Sequence, residues 1–181
     1  MIDFSVLFPT YQVKTRVLIA SNNAEVARCI FHTLEFYQKN FDYLLENGSN
    51  KNSGEDFIFL ESNSVEIATQ FKPNIVLLTS EIVEDNVGEI AKNITGGGVL
   101  VYPEKFENLL DHVQNYFRKL PYSPTDFSVK NNTLSVSTEM GEIALQTLDQ
   151  KLALDLQGIQ FFNQQFGIME EDFYDPLLNF Q

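Results

Sequence analysis

Apolar residues along the chain fall into short runs, and residues at helical spacing follow most of them. Val17, Leu18, Ile19 and Ala20 form the first run, a polar turn of Ser21, Asn22 and Asn23 follows, and Ala27, Ile30, Phe31 and Leu34 then recur at i, i+3, i+4 and i+7. This is the pattern of a buried strand, a tight turn and an amphipathic helix. The stripe predicts a helix running to about 37–45. A second run, 56–61, ends in Glu61; Ser62, Asn63 and Ser64 then offer an N-cap for a helix over 65–71, which Lys72 and Pro73 close. A third strand is predicted over 75–79, followed by Glu81, Glu84, Asp85 and a helix carrying Val87, Ile90 and Ile94. Gly96, Gly97 and Gly98 read as a turn before a fourth strand, 99–102. Phe106, Leu109, Leu110, Val113 and Phe117 predict one more helix, stopping before Pro121.

Strand and helix alternating at this rhythm means βαβ units. The expected class is α/β: a three-layer parallel sheet with helices on both faces. After Pro121 the period changes to two. Phe127 and Val129, a turn at Asn131 and Asn132, Leu134 and Val136, then Ile143 and Leu145 predict a small antiparallel meander. Helices over 152–166, stopped by Gly167, and 170–180, limited by Pro176, close the chain. Residues 48–54 read as an exposed loop by composition, and Pro9 breaks any element in the mixed stretch 1–15. The expected organisation is one domain over 1–181, with a parallel core at 14–120, the meander at 126–148 and closing helices at 150–181.

Charge narrows the function. Twelve basic and 25 acidic side chains give a net charge of −13, which argues against nucleic acid or an anionic membrane as partner. Cys29 is the only cysteine, so no internal disulfide forms, in keeping with a reducing compartment. No apolar run approaches a membrane span and no leader pattern opens the chain, so the expected location is the cytoplasm.

In α/β proteins the turn after a parallel strand is where phosphates bind. A phosphate-cradling loop needs glycines, so that backbone N–H groups close on the anion, and a lysine for the β/γ-phosphates. Neither occurs between Ala20 and Ala27. Asn22 instead stands three residues before Glu25, at capping-box spacing, and Glu25 brings a carboxylate to the positive end of the helix. Ser21, Asn22, Asn23 and Glu25 therefore form a candidate phosphate loop that is expected not to work. Glu61, Glu84 and Asp85 each follow a predicted buried strand and could converge to hold Mg²⁺; the competing reading is solvated charge on an acidic protein. His32 and His112 lack a second ligand at metal spacing, and Cys29 reads as a small core residue.

Four stretches together resemble the central, ATP-binding domain of the Mur ligases, closest to the branch that rejoins recycled murein peptide to UDP-N-acetylmuramate. Residues 14–19 (KTRVLI) look like the strand entering that family's P-loop. Residues 72–79 (KPNIVLLT) look like the strand before its Asn…Asp-His segment. Val129 to Asn132 with 141–145 (GEIAL) is similar to its small antiparallel sheet, and 156–159 with 166–174 resembles its closing helices. The resemblance implies a P-loop NTPase-like fold of the Mur central-domain type.

The departures concern chemistry. The family's Gly-Lys-Thr loop becomes Ser21 to Glu25. Its magnesium glutamate maps to Glu61, which is retained. Its Asn falls at Thr79 or Ser80 and its Asp-His at Glu84 and Asp85. Its His-Asn-x-x-Asn segment becomes 151–155. The flanking UDP-sugar and C-terminal domains do not fit within 181 residues. The resemblance thus implies a fold retained and a reaction lost: a non-catalytic binding or regulatory module with no cofactor, acting through an unidentified protein partner. The alternative is an ATP- and Mg²⁺-dependent ligase or phosphohydrolase of peptidoglycan metabolism that uses Glu61, Glu84 and Asp85. A receiver-like signalling domain is a third reading. It is disfavoured because its acid pair would fall on Ser21 to Asn23, its acceptor aspartate on Thr79 or a neighbour, and its fold has no place for a meander.

Overall fold

A computed structural model describes residues 11–138 and 141–180; Pro9 lies outside the described residues. The chain forms two compact units. One comprises the described residues up to Asn22 together with Asn40–Pro121, and the other comprises Asn23–Lys39 together with the described residues from Tyr122 on.

The first unit is built on strands β1 (Thr15–Ala20), β2 (Asp42–Leu44), β3 (Asn50–Lys51), β4 (Phe57–Glu61), β5 (Ile75–Leu78), β6 (Gly98–Pro103) and β7 (Phe117–Tyr122). They form one sheet in the order β3-β2-β4-β1-β5-β6-β7. β1 lies parallel to both β4 and β5, with Ile19 opposite Glu61 and Leu77. The sheet is mostly parallel, with β3 antiparallel to β2. Leu18, Ala20, Ile58, Leu60, Val76, Leu78, Leu100 and Tyr102 make one face of the central strands. Ala68 and Phe71 of helix α2 (Val65–Phe71), Val87, Ile90 and Ala91 of α3 (Glu84–Ala91), and Phe106 and Leu110 of a 3-10 turn (Glu104–Leu110) join them in one core. Val17, Ile19, Phe59, Leu77 and Val101, which point the other way, are equally buried. Burial on both faces explains why these strands read as unbroken apolar runs.

Local chemistry ends the elements where the sequence predicts. Ser64 Oγ accepts the N–H of Ile67 and starts α2, and Lys72, ahead of Pro73, turns left-handed at φ 50° and stops it. At the glycine turn, Gly97 has φ 81°, and a Cβ on Gly98 would stand 2.4 Å from the carbonyl oxygen of Asn74, so only glycine fits where β6 begins beside β5.

In the second unit, α1 (Ala24–Phe36) buries Val26, Ala27, Cys29, Ile30, Phe31, Thr33 and Leu34. It packs on α5 (Leu156–Gln164) and on a 3-10 turn, Pro176–Asn179. The meander is β8 (Phe127–Lys130), β9 (Thr133–Thr138) and β10 (Gly141–Leu145), antiparallel throughout. Asn131 and Asn132 take φ 48° and 62°, the left-handed pair a two-residue hairpin needs. α4 (Gln150–Leu154) and α5 break at buried Asp155, whose Oδ1 accepts the Tyr122 hydroxyl at 2.7 Å. α6 (Glu170–Phe173) follows Gly167, at φ 77°.

Several expectations about the elements are corrected. The first helix ends at Phe36 and does not reach 37–45; Asp42–Leu44 is a strand, and the predicted loop 48–54 contains β3, its partner. Residues 106–117 are not one helix: a 3-10 turn ends at Leu110, and Phe117 opens edge strand β7. Pro121 does not end a helix but lies within that edge strand, where a missing N–H is tolerated. The last predicted helix, 170–180, is a four-residue helix and a 3-10 turn that begins at Pro176.

Candidate functional site

The turn after β1 is held by its own side chains. Ser21 is buried, and the carbonyl of Ala20 accepts both the N–H of Thr79 at 3.1 Å and its hydroxyl at 3.3 Å. In the first unit the exposed side chain of Asn22 is used at both ends. Its Nδ2 donates to the carbonyl of Glu81 at 3.3 Å, and its Oδ1 accepts from Asn63 Nδ2. The loops that follow β4 and β5 are thereby tied to this turn.

In the second unit the N-cap of α1 is Asn23. Its Oδ1 accepts the N–H of Glu25 at 3.0 Å, and its carbonyl accepts the N–H of Val26 at 3.0 Å. This corrects the expected box of Asn22 with Glu25. With the cap one residue later, Glu25 falls in the second helical position, and its carboxylate pairs with Arg28 at 2.6 Å. Asn23 Nδ2 donates to Asp149 Oδ2 at 2.8 Å. Asp149 is in turn the N-cap of α4, its Oδ1 accepting the N–H groups of Lys151 and Leu152 at 2.9 and 3.0 Å. The sequence singles out Ser21, Asn22, Asn23 and Glu25 but not Asp149 or Asn63. An Asp two residues before Lys151, at the foot of a short helix, is the one local cue it gives.

The three acids expected around a metal do not assemble. Among the described residues no group of three or more His, Cys, Asp or Glu side chains is placed to hold a metal ion. Glu61 is buried; burial raises its pKa, while the backbone N–H of Glu46 opposes the rise and the charge of Glu46 adds to it. Glu84 and Asp85 lie exposed in the first turn of α3, where carboxylates suit the helix dipole and Val83 provides no side-chain cap. Lys105 Nζ donates to the carbonyl of Ser80 at 2.8 Å, placing a cation at the loop after β5 that sequence reasoning passed over.

The remaining candidates have structural roles. The Cys29 thiol is fully buried, and burial, with the nearby charge of Glu25, pushes its pKa up to about 12, so it packs as a small hydrophobe. His32 Nε2 lies 2.9 Å from the carbonyl of Pro176, and His112 is exposed.

No family model and no curated protein matches this sequence. Solved structures do match. UDP-N-acetylmuramoylalanyl-D-glutamyl-2,6-diaminopimelate–D-alanyl-D-alanyl ligase from Acinetobacter baumannii superposes with a TM-score of 0.70 at 10% identity, over 98% of this chain and 48% of that one. UDP-N-acetylmuramate:L-alanyl-γ-D-glutamyl-meso-diaminopimelate ligase from Neisseria meningitides gives 0.67 at 11% identity, over 98% and 69%. MurF ligase from Thermotoga maritima, in complex with ADP, gives 0.65 at 15% identity, over 96% and 50%. The fold is therefore of the Mur ligase central-domain type, and the chain spans about half the length of the first and third of these ligases. No helix among the described residues is long and apolar enough to cross a membrane.

Proposed function

We propose that this chain is a Mur ligase-type domain that does not bind nucleotide and serves as a cytoplasmic binding or regulatory module, with a protein as its partner. The observation that carries the reading is the pair of caps at the turn after β1. Where a phosphate loop would present free N–H groups, Asn23 occupies the helix start and holds the carboxylate of Asp149 2.8 Å from its own amide. An incoming polyphosphate would meet a negative group and a donor already in use. Glycine and lysine are absent between Ala20 and Ala27, so neither backbone closure nor a counter-charge comes from within the turn. The residues present in this turn do not fit ATP with Mg²⁺.

A second reading has one observation in its favour. Glu61 ends β4, the position the sequence resemblance assigns to a magnesium glutamate, in a fold shared with a ligase solved with ADP. Under it the protein is a nucleotide- and Mg²⁺-dependent ligase or phosphohydrolase acting on cell-wall precursors. Calorimetric titration with ATP, with and without Mg²⁺, separates the two. No saturable heat is expected; micromolar binding overturns the proposal.

A further inference from the structure

The small sheet of the second unit has the order β10-β9-β8, so β8 is an edge strand. The turn at Asn131 and Asn132 fixes which of its backbone groups β9 uses. Lys130 and Thr133 close the turn as a hydrogen-bonded pair, Ser128 and Ser135 form the next, and the N–H of Ser137 reaches the carbonyl of Asp126 at 2.9 Å. Such pairs alternate along an antiparallel ladder, so the N–H and C=O groups of Phe127 and Val129 point away from β9. Among the described residues these outward groups have no hydrogen-bond partner. Upstream, the N–H of Thr125 is taken by the carbonyl of Leu154 at 3.0 Å, and downstream the chain turns at Asn131. The open edge is therefore the stretch from Asp126 to Lys130.

Its side chains alternate between two faces. Phe127 and Val129 lie opposite Val136 and Leu134, on the face that also carries Leu145. Those three are buried, whereas Phe127 is half-buried and Val129 is 45% exposed, so the apolar face runs out to the open edge. Asp126, Ser128 and Lys130 take the other face. Asp126 and Lys130 are exposed, and among the described residues neither side chain is in an ion pair.

An open edge is a template for another strand, and the order of these side chains says which strand fits. Laid antiparallel about Ser128, a second copy of the same stretch sets Phe127 opposite Val129 and Asp126 opposite Lys130, at both ends. The outward backbone groups of Phe127 then exchange hydrogen bonds with those of Val129 in the second copy, and every open group of the edge is used. Phenylalanine and valine make an aromatic and β-branched cross-strand pair on the apolar face. Aspartate and lysine make an opposite-charge pair on the other, in the closer, non-hydrogen-bonded positions. A shift of register by two residues either way loses both ion pairs.

We propose that this chain self-associates through β8, two copies joining edge to edge about a two-fold axis into one continuous antiparallel sheet. The pairing does not rest on the nucleotide reading.

Sedimentation velocity of the full chain, from about 10 µM to about 1 mM, tests this. So short an edge makes a contact at the small, transient end of protein interfaces, and a dimer fraction that rises across this range is expected. Lys130→Asp and Asp126→Lys each set like charges at both ends of the pairing, and each weakens association by about tenfold or more. Mixed together, these two proteins are complementary again and associate as the wild type does, which also shows that both are folded. Val129→Pro deletes an outward N–H, leaves the ladder to β9 in place and abolishes association. The proposal is overturned if the wild type stays monomeric across the range. It is equally overturned if the charge variants and Val129→Pro all dimerise like the wild type, or if mixing the two charge variants restores nothing.

Discussion

Asn23 Nδ2 donates to Asp149 Oδ2 across 2.8 Å, and each of these two residues is itself the N-cap of a helix. One hydrogen bond between residues 126 apart thus joins the starts of α1 and α4. One oxygen of the Asp149 carboxylate caps α4, and the other holds the side chain that caps α1.

Asn23→Ala removes both the cap on α1 and the tie to Asp149. The expected loss is about 1 kcal/mol, a fall in melting temperature of about 2–4 °C for a chain of this size. Asn23→Ser, which keeps a capping oxygen but cannot reach Asp149 as an amide does, recovers part of the loss. Thermal melts of the three proteins at one pH and salt concentration check this. Equal melting temperatures would show that the cap pair contributes nothing.

The same turn shows what the sequence could and could not reveal. Two asparagines stand side by side, and Asn22 has the better capping-box spacing to Glu25; the helix starts from Asn23. The choice is decided by Asp149, Asn63 and the carbonyl of Glu81, all distant in sequence. Long both-face-buried strands such as Thr15–Ala20 and Phe57–Glu61 were legible because their burial writes an apolar run into the sequence. Strand Asp42–Leu44 was not, since three residues are too few to display a period. Phe106 and Leu110 carry the spacing of an α-helix but sit in a 3-10 turn, because spacing alone does not separate a short 3-10 segment from the first turns of an α-helix. The scatter of Glu61, Glu84 and Asp85 was also hidden, because a position after a strand does not say which way a side chain turns.

Asp42 is a buried acid that stabilises the fold. Lys14 Nζ lies 2.5 Å from its Oδ2, and the N–H groups of Ser53, Gly54 and Glu55 donate to its two oxygens. Burial alone would raise its pKa; the hydrogen bond and charge of Lys14 and the backbone donors more than offset this, and the pKa lies below the ordinary value. A depressed folded pKa means that the unfolded chain binds the proton more readily. The stabilisation is therefore complete above the unfolded carboxylate pKa of about 4 and is lost as pH falls through the folded pKa. Asp42→Ala should cost about 3 kcal/mol near neutral pH, as expected when one member of a buried pair is removed. The gap between the two proteins' urea midpoints should narrow on acidification. A gap independent of pH would assign the cost to packing.

Glu61 is the buried acid of opposite sign, and it bears on function. Burial raises its pKa, the Glu46 N–H opposes the rise and the Glu46 charge adds to it. A raised folded pKa means that the favourable, protonated form is complete below the unfolded pKa and is lost as pH rises through the folded pKa. At neutral pH the ionised side chain therefore costs stability. Glu61→Gln keeps an oxygen to accept the Glu46 N–H and removes the charge, so it should raise the urea midpoint at pH 7 and have little effect near pH 4. The same variant separates the two functional readings. If Glu61 held Mg²⁺ in a working site, Mg²⁺ would stabilise the wild-type protein by mass action and the glutamine variant would lose that response. The expected result is that millimolar Mg²⁺ moves neither midpoint and that the gain from glutamine at pH 7 persists with the metal present. A Mg²⁺-dependent rise in the wild-type midpoint, absent in Glu61→Gln, would restore this carboxylate as a metal ligand and favour the ligase reading.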